Sequence, residues 1–345
     1  MSLLSVRDLN VTFDVPRRGA MPWTPPQKLR AVQEMSFDLA AGQTLGIVGE
    51  SGSGKSTLAR AIIGTVAATS GQVIWEGTDL SQLSPSARRK HRAEVQMVFQ
   101  DPLAALNPRM TVGEIIAEPL RTHRDISRED ARRAAQAMME RVGLLPNLVN
   151  RFPHEFSGGQ CQRIGIARAL ILEPRLLVCD EPVSALDVSV QAQVVNLLRG
   201  LSREMGLAMI FIAHDLSVVR HISDRIMVMY LGRKMEEGPA RDVVRDPLHP
   251  YTGALVASIP IPDPRQRHRT RARVSGELPS PLDPPSGCVF HTRCPRARPD
   301  CAWDVPPLLT PKADRAVACP YWDATGTDRD AARMSPEAAE SQGNA

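Results

Sequence analysis

The sequence predicts an α/β protein whose core is a parallel β-sheet covered by helices. Short apolar runs of strand length occur at residues 45–48, 176–179 and 209–213. Stretches with the apolar spacing of a helix lie between these runs, as at residues 58–63 and 190–204. Strands that alternate with helices along a chain form right-handed crossovers, which make the strands parallel.

The first of these strands leads into a glycine-rich turn, residues 49–57, with the sequence GESGSGKST. Glycine lets backbone N–H groups approach a polyphosphate closely and allows positive φ angles that a Cβ would hinder. Lys55 adds a positive charge, the Ser56 hydroxyl can ligate Mg²⁺, and the N-terminal end of the next helix favours an anion. The motif therefore predicts a nucleoside triphosphate site, and the alternative is an ordinary glycine-rich turn.

The bulk properties indicate a globular protein. The 345 residues suffice for one large domain with a small additional one, and 43% are hydrophobic while 23% are charged. The net charge of +4 is too small and too evenly spread to indicate nucleic acid as the main partner. The sequence shows no signal peptide and no apolar run of the ~20 residues that a spanning helix needs. We therefore expect a cytosolic chain that acts at a membrane only through partners.

The region around the core is predicted from the same patterns. Further strands are predicted at residues 3–15, 35–40, 73–75 and 95–99. The first three form an antiparallel sheet beside the core, whereas the fourth ends at Gln100. Residues 17–27 carry several prolines and are predicted to form a surface loop. Residues 112–145 have helical spacing, with a start at Ser127 that resembles a capping box, so we predict a helical insert.

Two more motifs place polar groups at helix starts and strand ends. A second glycine-rich turn at residues 156–160 opens a helix, which is again the construction of an anion site. The second core strand delivers Asp180 and Glu181 to its carboxyl end, and the third ends in His214. Ligands of open parallel sheets bind at this end of the strands, so these side chains are candidate site residues.

In this combination and order, the motifs resemble the nucleotide-binding subunit of an ABC transporter, from residue 3 to about residue 250. The resemblance implies a P-loop ATPase fold with a RecA-like parallel-sheet core, an antiparallel β subdomain and a helical subdomain. It assigns Walker A to residues 49–57, the glutamine loop to Gln100, the signature to residues 157–160, Walker B to residues 176–181, the D-loop to residues 184–187 and the switch histidine to His214.

The resemblance also implies a role for each matching residue. The ATP-binding set is Phe13, Gly49, Ser51, Gly52, Gly54, Lys55, Ser56, Thr57, Asp180, Asp187 and the signature residues Ser157, Gly158, Gly159 and Gln160. The Mg²⁺ set is Ser56, Gln100 and Asp180, and the catalytic set is Glu181, His214 and Gln100. Glu181 is the implied general base, and His214 the implied contact to the γ-phosphate. Phe13 would stack on adenine, and the alternative is a strand phenylalanine that faces the core.

Several longer stretches resemble, more narrowly, the oligopeptide and dipeptide importer group. They lie at residues 154–163, 179–189, 247–252, 276–281 and 287–290. This resemblance implies an ATPase that pairs with a similar second subunit and binds two permease subunits on the cytoplasmic side of the bacterial inner membrane. It implies import of peptides that a periplasmic or extracellular binding protein delivers. Importers of nickel and glutathione share many of these stretches, so the cargo stays open.

The chain divides at changes in composition. We predict an ABC nucleotide-binding domain at residues 1–255, with its helical subdomain at residues 101–174. A proline-rich C-terminal extension is predicted at residues 256–323, and a disordered polar tail at residues 324–345.

The six cysteines form two groups. Cys161 and Cys179 lie inside core motifs and are predicted to be packing residues. The other four are gathered in the extension: Cys288, Cys294, Cys301 and Cys319. In a cytosolic protein such a set indicates metal ligands before disulfides, and its spacing is wider than the paired cysteines of a zinc ribbon. A [4Fe-4S] cluster fits better, and members of the importer group carry one here; zinc and unligated thiols are the alternatives.

Two other classes of ABC protein are disfavoured. An ABC ATPase of DNA repair would carry a long coiled-coil insert between Walker A and the signature, and this interval holds only a compact helical region. An ABC protein of translation would have two cassettes, whereas the sequence has one Walker A and one signature.

Overall fold

A computed structural model of the chain describes residues 2–17, 19, 21, 23–259 and 276–323. The predicted disordered tail at residues 324–345 lies outside the described residues, and so does segment 260–275 of the predicted extension. Among the described helices, none is both long enough and apolar enough to cross a membrane.

The described chain alternates strands and helices over most of its length. The strands are β1 (Ser2–Val15), β2 (Gln27–Ala40), β3 (Thr44–Val48), β4 (Ser70–Trp75), β5 (Thr78–Asp79), β6 (Val95–Val98), β7 (Leu176–Asp180), β8 (Ala208–Ile212), β9 (Arg225–Tyr230), β10 (Arg233–Pro239), β11 (Leu309–Lys312) and β12 (Arg315–Val317). The helices are α1 (Lys55–Ile62), α2 (Pro85–Glu94), α3 (Pro102–Ala105), α4 (Val112–His123), α5 (Arg128–Arg141), α6 (Gly158–Leu170), α7 (Val188–Met205), α8 (Leu216–Ile222), α9 (Ala240–Arg245) and α10 (Pro250–Ala257).

The strands form two sheets, which confirms the predicted combination of a parallel core and an antiparallel sheet. The smaller sheet has the order β2-β1-β4-β5 and is antiparallel. The main sheet has the order β11-β12-β10-β9-β3-β8-β7-β6, and its strands from β9 to β6 are parallel. Strand β3 lies between β9 and β8, so the glycine-rich loop that follows it leaves the sheet near its centre.

Both faces of the parallel strands are buried, which explains their continuous apolar sequences. In β7, Leu176 and Val178 pack into a core shared with the small sheet and α1. The alternate residues Leu177 and Cys179 pack into a second core shared with the helices. Cys161 is completely buried in this second core as well, so the predicted packing role of both core cysteines is confirmed.

The helical insert predicted at residues 112–145 is present as α4 and α5, and the helix predicted after the second glycine-rich turn is α6. Helix α4 begins with a capping box between Thr111 and Glu114. Ser127 caps α5, where its Oγ accepts a hydrogen bond from the Asp130 N–H at 3.0 Å. These local signals fix the helix starts, and buried residues of all three helices share one core.

The C-terminal extension joins the main sheet, a feature that the sequence patterns did not predict. Strand β12 pairs antiparallel with β10, with Val317 opposite Glu236. Arg315 of β12 forms a buried ion pair with Glu236, and the two side chains are 3% and 0% exposed. Glu236 also accepts hydrogen bonds from the backbone N–H groups of Leu248 and His249. The described part of the extension is therefore packed against the core, and its boundary near residue 256 stays a prediction.

Candidate functional site

The glycine-rich loop runs from β3 into α1, as predicted, and two of its glycines are required by close backbone approaches. Gly54 has φ +97°, and a Cβ there would lie 2.1 Å from the Ala31 carbonyl oxygen. A Cβ on Gly49 would lie 2.2 Å from the Met229 carbonyl oxygen. Since both obstacles are backbone atoms, the loop needs glycine at these positions.

Lys55 is folded back onto the loop that precedes it. Its buried Nζ donates hydrogen bonds to the carbonyl oxygens of Gly49, at 2.7 Å, and Glu50, at 2.9 Å. Burial lowers the pKa of Lys55, whereas the charges of Glu181 and Asp180 act in the opposite direction. The ammonium group thus lies against the loop, where the motif places a bound phosphate, and two carboxylates act on it electrostatically.

Ser56 and Asp180 bring α1 and β7 together behind the loop. The Ser56 Oγ donates a hydrogen bond to Asp180 Oδ1 at 2.7 Å. Burial raises the pKa of Asp180, while the hydrogen bond from Ser56 acts against that shift. A hydroxyl beside a buried carboxylate supplies the hard oxygen ligands that Mg²⁺ prefers, so these residues fit the predicted magnesium site.

Glu181, Gln100 and His214 meet at the carboxyl ends of three strands. Glu181 Oε2 accepts a hydrogen bond from Gln100 Nε2 at 3.2 Å, and it lies 3.8 Å from His214 Nδ1. The Glu181 backbone has φ +46°, and its N–H donates to the Ile212 carbonyl oxygen at 3.0 Å. A left-handed backbone is uncommon for a residue other than glycine and is characteristic of functional sites.

These elements surround one cavity of about 580 Å³. Its lining is formed by Phe13, Leu29, Arg30, Ala31, Ser51, Gly52, Ser53, Gly54, Lys55, Ser56, Thr57, Gln100, Glu181, His214, Leu231, Gly232 and Pro281. Phe13 is 37% exposed and belongs to neither buried core. The structure thus brings ten predicted site residues together, among them Phe13. Gly49 and Asp180 are outside this lining and accept hydrogen bonds from the lining residues Lys55 and Ser56.

Sequence reasoning missed part of the lining. Residues 29–31 come from β2, and Leu231 and Gly232 form the turn between β9 and β10. Pro281 comes from the C-terminal extension. Only Gly232 carried a local sequence signal, because it is a glycine that directly follows the apolar run at residues 226–231, and it forms a turn with φ +79°. The other residues reach the cavity through pairings distant in sequence.

The predicted signature turn and Asp187 lie outside the cavity lining. Ser157 caps α6: its Oγ accepts a hydrogen bond from Gln160 N, and its N–H donates to Gln160 Oε1 at 2.9 Å. Ser157 and Gly158 are exposed. Asp187 is the N-cap residue of α7 and makes no side-chain capping bond. The signature turn is therefore ordered, and its first two residues face outward.

Three cysteines of the extension act electrostatically on the fourth, Cys319. Burial raises the pKa of Cys319 to about 11, and the charges of Cys288, Cys294 and Cys301 act in the same direction. Within the ranges that the structure describes, however, no group of three or more His, Cys, Asp or Glu side chains is arranged to hold a metal ion. The arrangement therefore gives the predicted iron–sulfur ligand set no support.

The fold and the cavity define a P-loop ATPase of the ABC type. The family model described as "ABC transporter" matches residues 32–184, and the one described as "Oligopeptide/dipeptide transporter, C-terminal region" matches residues 235–301. A solved dimeric structure of the ATP-binding cassette MJ0796 bound to ADP and Pi has a TM-score of 0.61 and 28% identity, and it covers 69% of this chain and 99% of that one.

Curated relatives match nearly the whole chain. The oligopeptide transport ATP-binding protein OppF of Salmonella typhimurium is 61% identical, over 92% of this chain and 95% of the relative. The putative oligopeptide transport ATP-binding protein YkfD of Bacillus subtilis is 52% identical, over 92% of this chain and 95% of the relative. The chain therefore belongs to the oligopeptide/dipeptide family of ABC transporter ATP-binding proteins, as its sequence motifs predicted.

Proposed function

We propose that this chain is the ATP-hydrolysing subunit that powers peptide import through an ABC permease. The observation that supports this proposal best is the convergence of Lys55, Gln100, Glu181 and His214 on the cavity that Phe13 also lines. Family membership supports the transport role, and peptide is the cargo that the relatives' names give. Nickel and glutathione remain alternative cargoes.

In this proposal, the loop N–H groups and Lys55 bind the β- and γ-phosphates, and Phe13 stacks on the adenine. Mg²⁺, held by Ser56, Asp180 and Gln100, supplies charge neutralisation of the phosphates when it is bound. Glu181 accepts the proton of the attacking water. Its carboxylate is oriented for this role by the Gln100 amide and lies beside the His214 ring. His214 contacts the γ-phosphate.

The site is proposed to be half of a composite site. The signature turn, whose first two residues face outward, would close over Walker A of a second, similar ATPase subunit, and Asp187 would lie at that junction. The turn consists of Ser157, Gly158, Gly159 and Gln160. The complete importer would contain this ATPase pair, two permease subunits contacted through residues 102–119, and an external binding protein. The chain would lie at the cytoplasmic face of the inner membrane, without nucleic acid as a partner. Alone, it would bind nucleotide and hydrolyse it poorly.

The test of the proposed base is Glu181→Gln, measured in the assembled membrane complex. We expect ATP hydrolysis to fall by about 100-fold to 10,000-fold, because the amide cannot accept a proton, while nucleotide binding is retained. The matched control is Glu204→Gln, since Glu204 is an exposed carboxylate that pairs with Arg141 away from the cavity. Normal turnover in the Glu181 variant would refute the assigned base. Screening the complex against binding protein loaded with peptides, nickel or glutathione then identifies the cargo.

We also propose that Cys288, Cys294, Cys301 and Cys319 ligate a [4Fe-4S] cluster, with zinc or free thiols as alternatives. This proposal rests on the resemblance to the importer group, because the four side chains are not arranged as a metal site within the described residues. Two of the sulfurs accept backbone hydrogen bonds, with the Arg296 nitrogen 3.4 Å from Cys294 Sγ and the Arg298 nitrogen 3.5 Å from Cys301 Sγ. Iron and acid-labile sulfide assays on anaerobically purified protein decide between the alternatives, and protein free of metal would exclude both ligated forms.

A further inference from the structure

The C-terminal extension contacts the phosphate-binding loop through one buried arginine. Arg293 lies in a single turn of 3-10 helix, His291–Arg293, within the cysteine-containing segment. Its guanidinium donates to both carboxylate oxygens of Glu50, with Nη1 2.7 Å from Oε2 and Nη2 3.1 Å from Oε1. The Arg293 side chain is 8% exposed and that of Glu50 is 26% exposed. A bidentate, largely buried pair of this kind is strong and directional.

Aromatic residues hold this pair in place from the core side. The Arg293 Nη1 also donates to the Tyr230 hydroxyl at 3.2 Å, and the Tyr251 hydroxyl accepts a hydrogen bond from the Glu50 N–H at 2.8 Å. The rings of Tyr230 and Tyr251 contact each other and also Phe290, which lies three residues before Arg293. Glu50 is thus held through its side chain by the extension and through its backbone by α10.

Glu50 is in turn connected to Lys55. The Glu50 carbonyl oxygen accepts a hydrogen bond from Lys55 Nζ, and the negative charge of Glu50 acts on the same ammonium group. A carboxylate in a loop that binds an anion would oppose binding by charge repulsion. The guanidinium of Arg293 offsets this charge and fixes the residue whose backbone meets Lys55.

We propose that Arg293 is a positioning residue for nucleotide binding, which acts through Glu50 by neutralising its carboxylate and holding the loop in a form ready for the triphosphate. This inference rests on the proposed nucleotide site at the loop. Preorganisation and charge neutralisation both affect how tightly the nucleotide is bound before the reaction. Loss of Arg293 therefore raises the Kd and KM for MgATP and leaves kcat at saturation largely unchanged.

The experiment measures binding of a non-hydrolysable MgATP analogue to the full-length chain, and KM and kcat in the assembled complex. The variants are Arg293→Met, Glu50→Gln and the double variant. We expect Arg293→Met to weaken binding about tenfold, because it leaves a bare carboxylate in the loop. The double variant should recover the part of this loss that charge repulsion causes, since the carboxylate is then absent. A merely structural weakening of the extension would not be rescued by a change at Glu50.

Three further variants separate a specific role of Arg293 from a general effect of the extension and from failure of the proposed nucleotide site. Arg298→Met removes an arginine of the same extension that stacks on Tyr321, and it should change the affinity less than about twofold. Lys55→Ala should abolish binding, and retained binding there would count against the proposed nucleotide site itself. Unchanged affinity in Arg293→Met, or a double variant as weak as the single one, would overturn the role of Arg293. If Arg293→Met does not fold, Arg293→Lys decides: wild-type affinity would exclude a bidentate positioning role.

Discussion

Replacing Arg315 with methionine tests how the extension is anchored to the main sheet. Arg315 donates to Glu236 and to the Asp246 carbonyl oxygen at 2.8 Å, and its stem packs against Gly238. Methionine retains most of the stem and removes the guanidinium. The carboxylate of Glu236, 0% exposed, is then left with backbone N–H donors and no cation.

The cost of Arg315→Met follows from the buried charge that the variant leaves behind. Removing one partner of a buried ion pair typically costs about 3–5 kcal/mol, because the remaining charge stays desolvated. We therefore expect the free energy of unfolding to fall by about 4 kcal/mol.

Urea denaturation of the wild type and variants at neutral pH measures this loss. The Glu236→Gln/Arg315→Met double variant should be more stable than Arg315→Met, since no buried charge remains. Lys312→Met is the matched control, because Lys312 and Asp246 form an exposed ion pair at 2.7 Å, worth at most about 1 kcal/mol. A loss below about 1 kcal/mol in Arg315→Met would show that Glu236 is not left as an uncompensated buried charge.

Two further predictions concern backbone strain and pH. In the nucleotide-free protein, Gly54→Ala should lower the free energy of unfolding by roughly 2 kcal/mol more than Gly52→Ala, as measured by thermal unfolding. The reason is that only the new Cβ at position 54 would meet backbone atoms, at Ala31. Equal losses in the two variants would contradict the clash. Burial lowers the pKa of His249 to about 3, so the unfolded chain takes up a proton below about pH 6.5 while the folded chain does not. The free energy of unfolding should therefore fall by about 2 kcal/mol from about pH 7.5 to about pH 5. In His249→Asn, whose side chain can still cap α10, this loss at low pH should be absent. The same loss in the variant would contradict the assignment to His249.

Local sequence patterns were sufficient to predict the elements on the nucleotide side of the site. Each predicted element there consists of a buried strand, a polar or glycine-rich turn and a helix, and each signal lies within about ten residues. The carboxyl ends of parallel strands meet at one edge of the sheet, so Gln100, Glu181 and His214 could be expected together before any coordinates. The distances between them, 3.2 Å and 3.8 Å to the same carboxylate oxygen, agree with that expectation.

The role of the extension could not be predicted in the same way. Strand β12 has only three residues, Arg315–Val317, which is too short for a periodic pattern. Pro281 reaches the cavity and Arg293 reaches Glu50 across more than two hundred residues of sequence. The composition of the segment, rich in proline and cysteine, indicated only an appendage. The residues that it contacts belong to other parts of the chain, so its own sequence carries no signal of these contacts.

The contacts of the extension make it part of the proposed nucleotide half-site. It adds strands to the main sheet, contributes Pro281 to the cavity lining and holds Glu50 of the loop through Arg293. Arg293 is followed directly by Cys294, whose Sγ accepts a backbone hydrogen bond within the same segment. A change at the cysteines that moved this turn would move Arg293 with it, and the bidentate pair tolerates little displacement. We therefore expect a change in the ligation or oxidation of the four cysteines to alter the affinity for nucleotide before it alters other properties of the core.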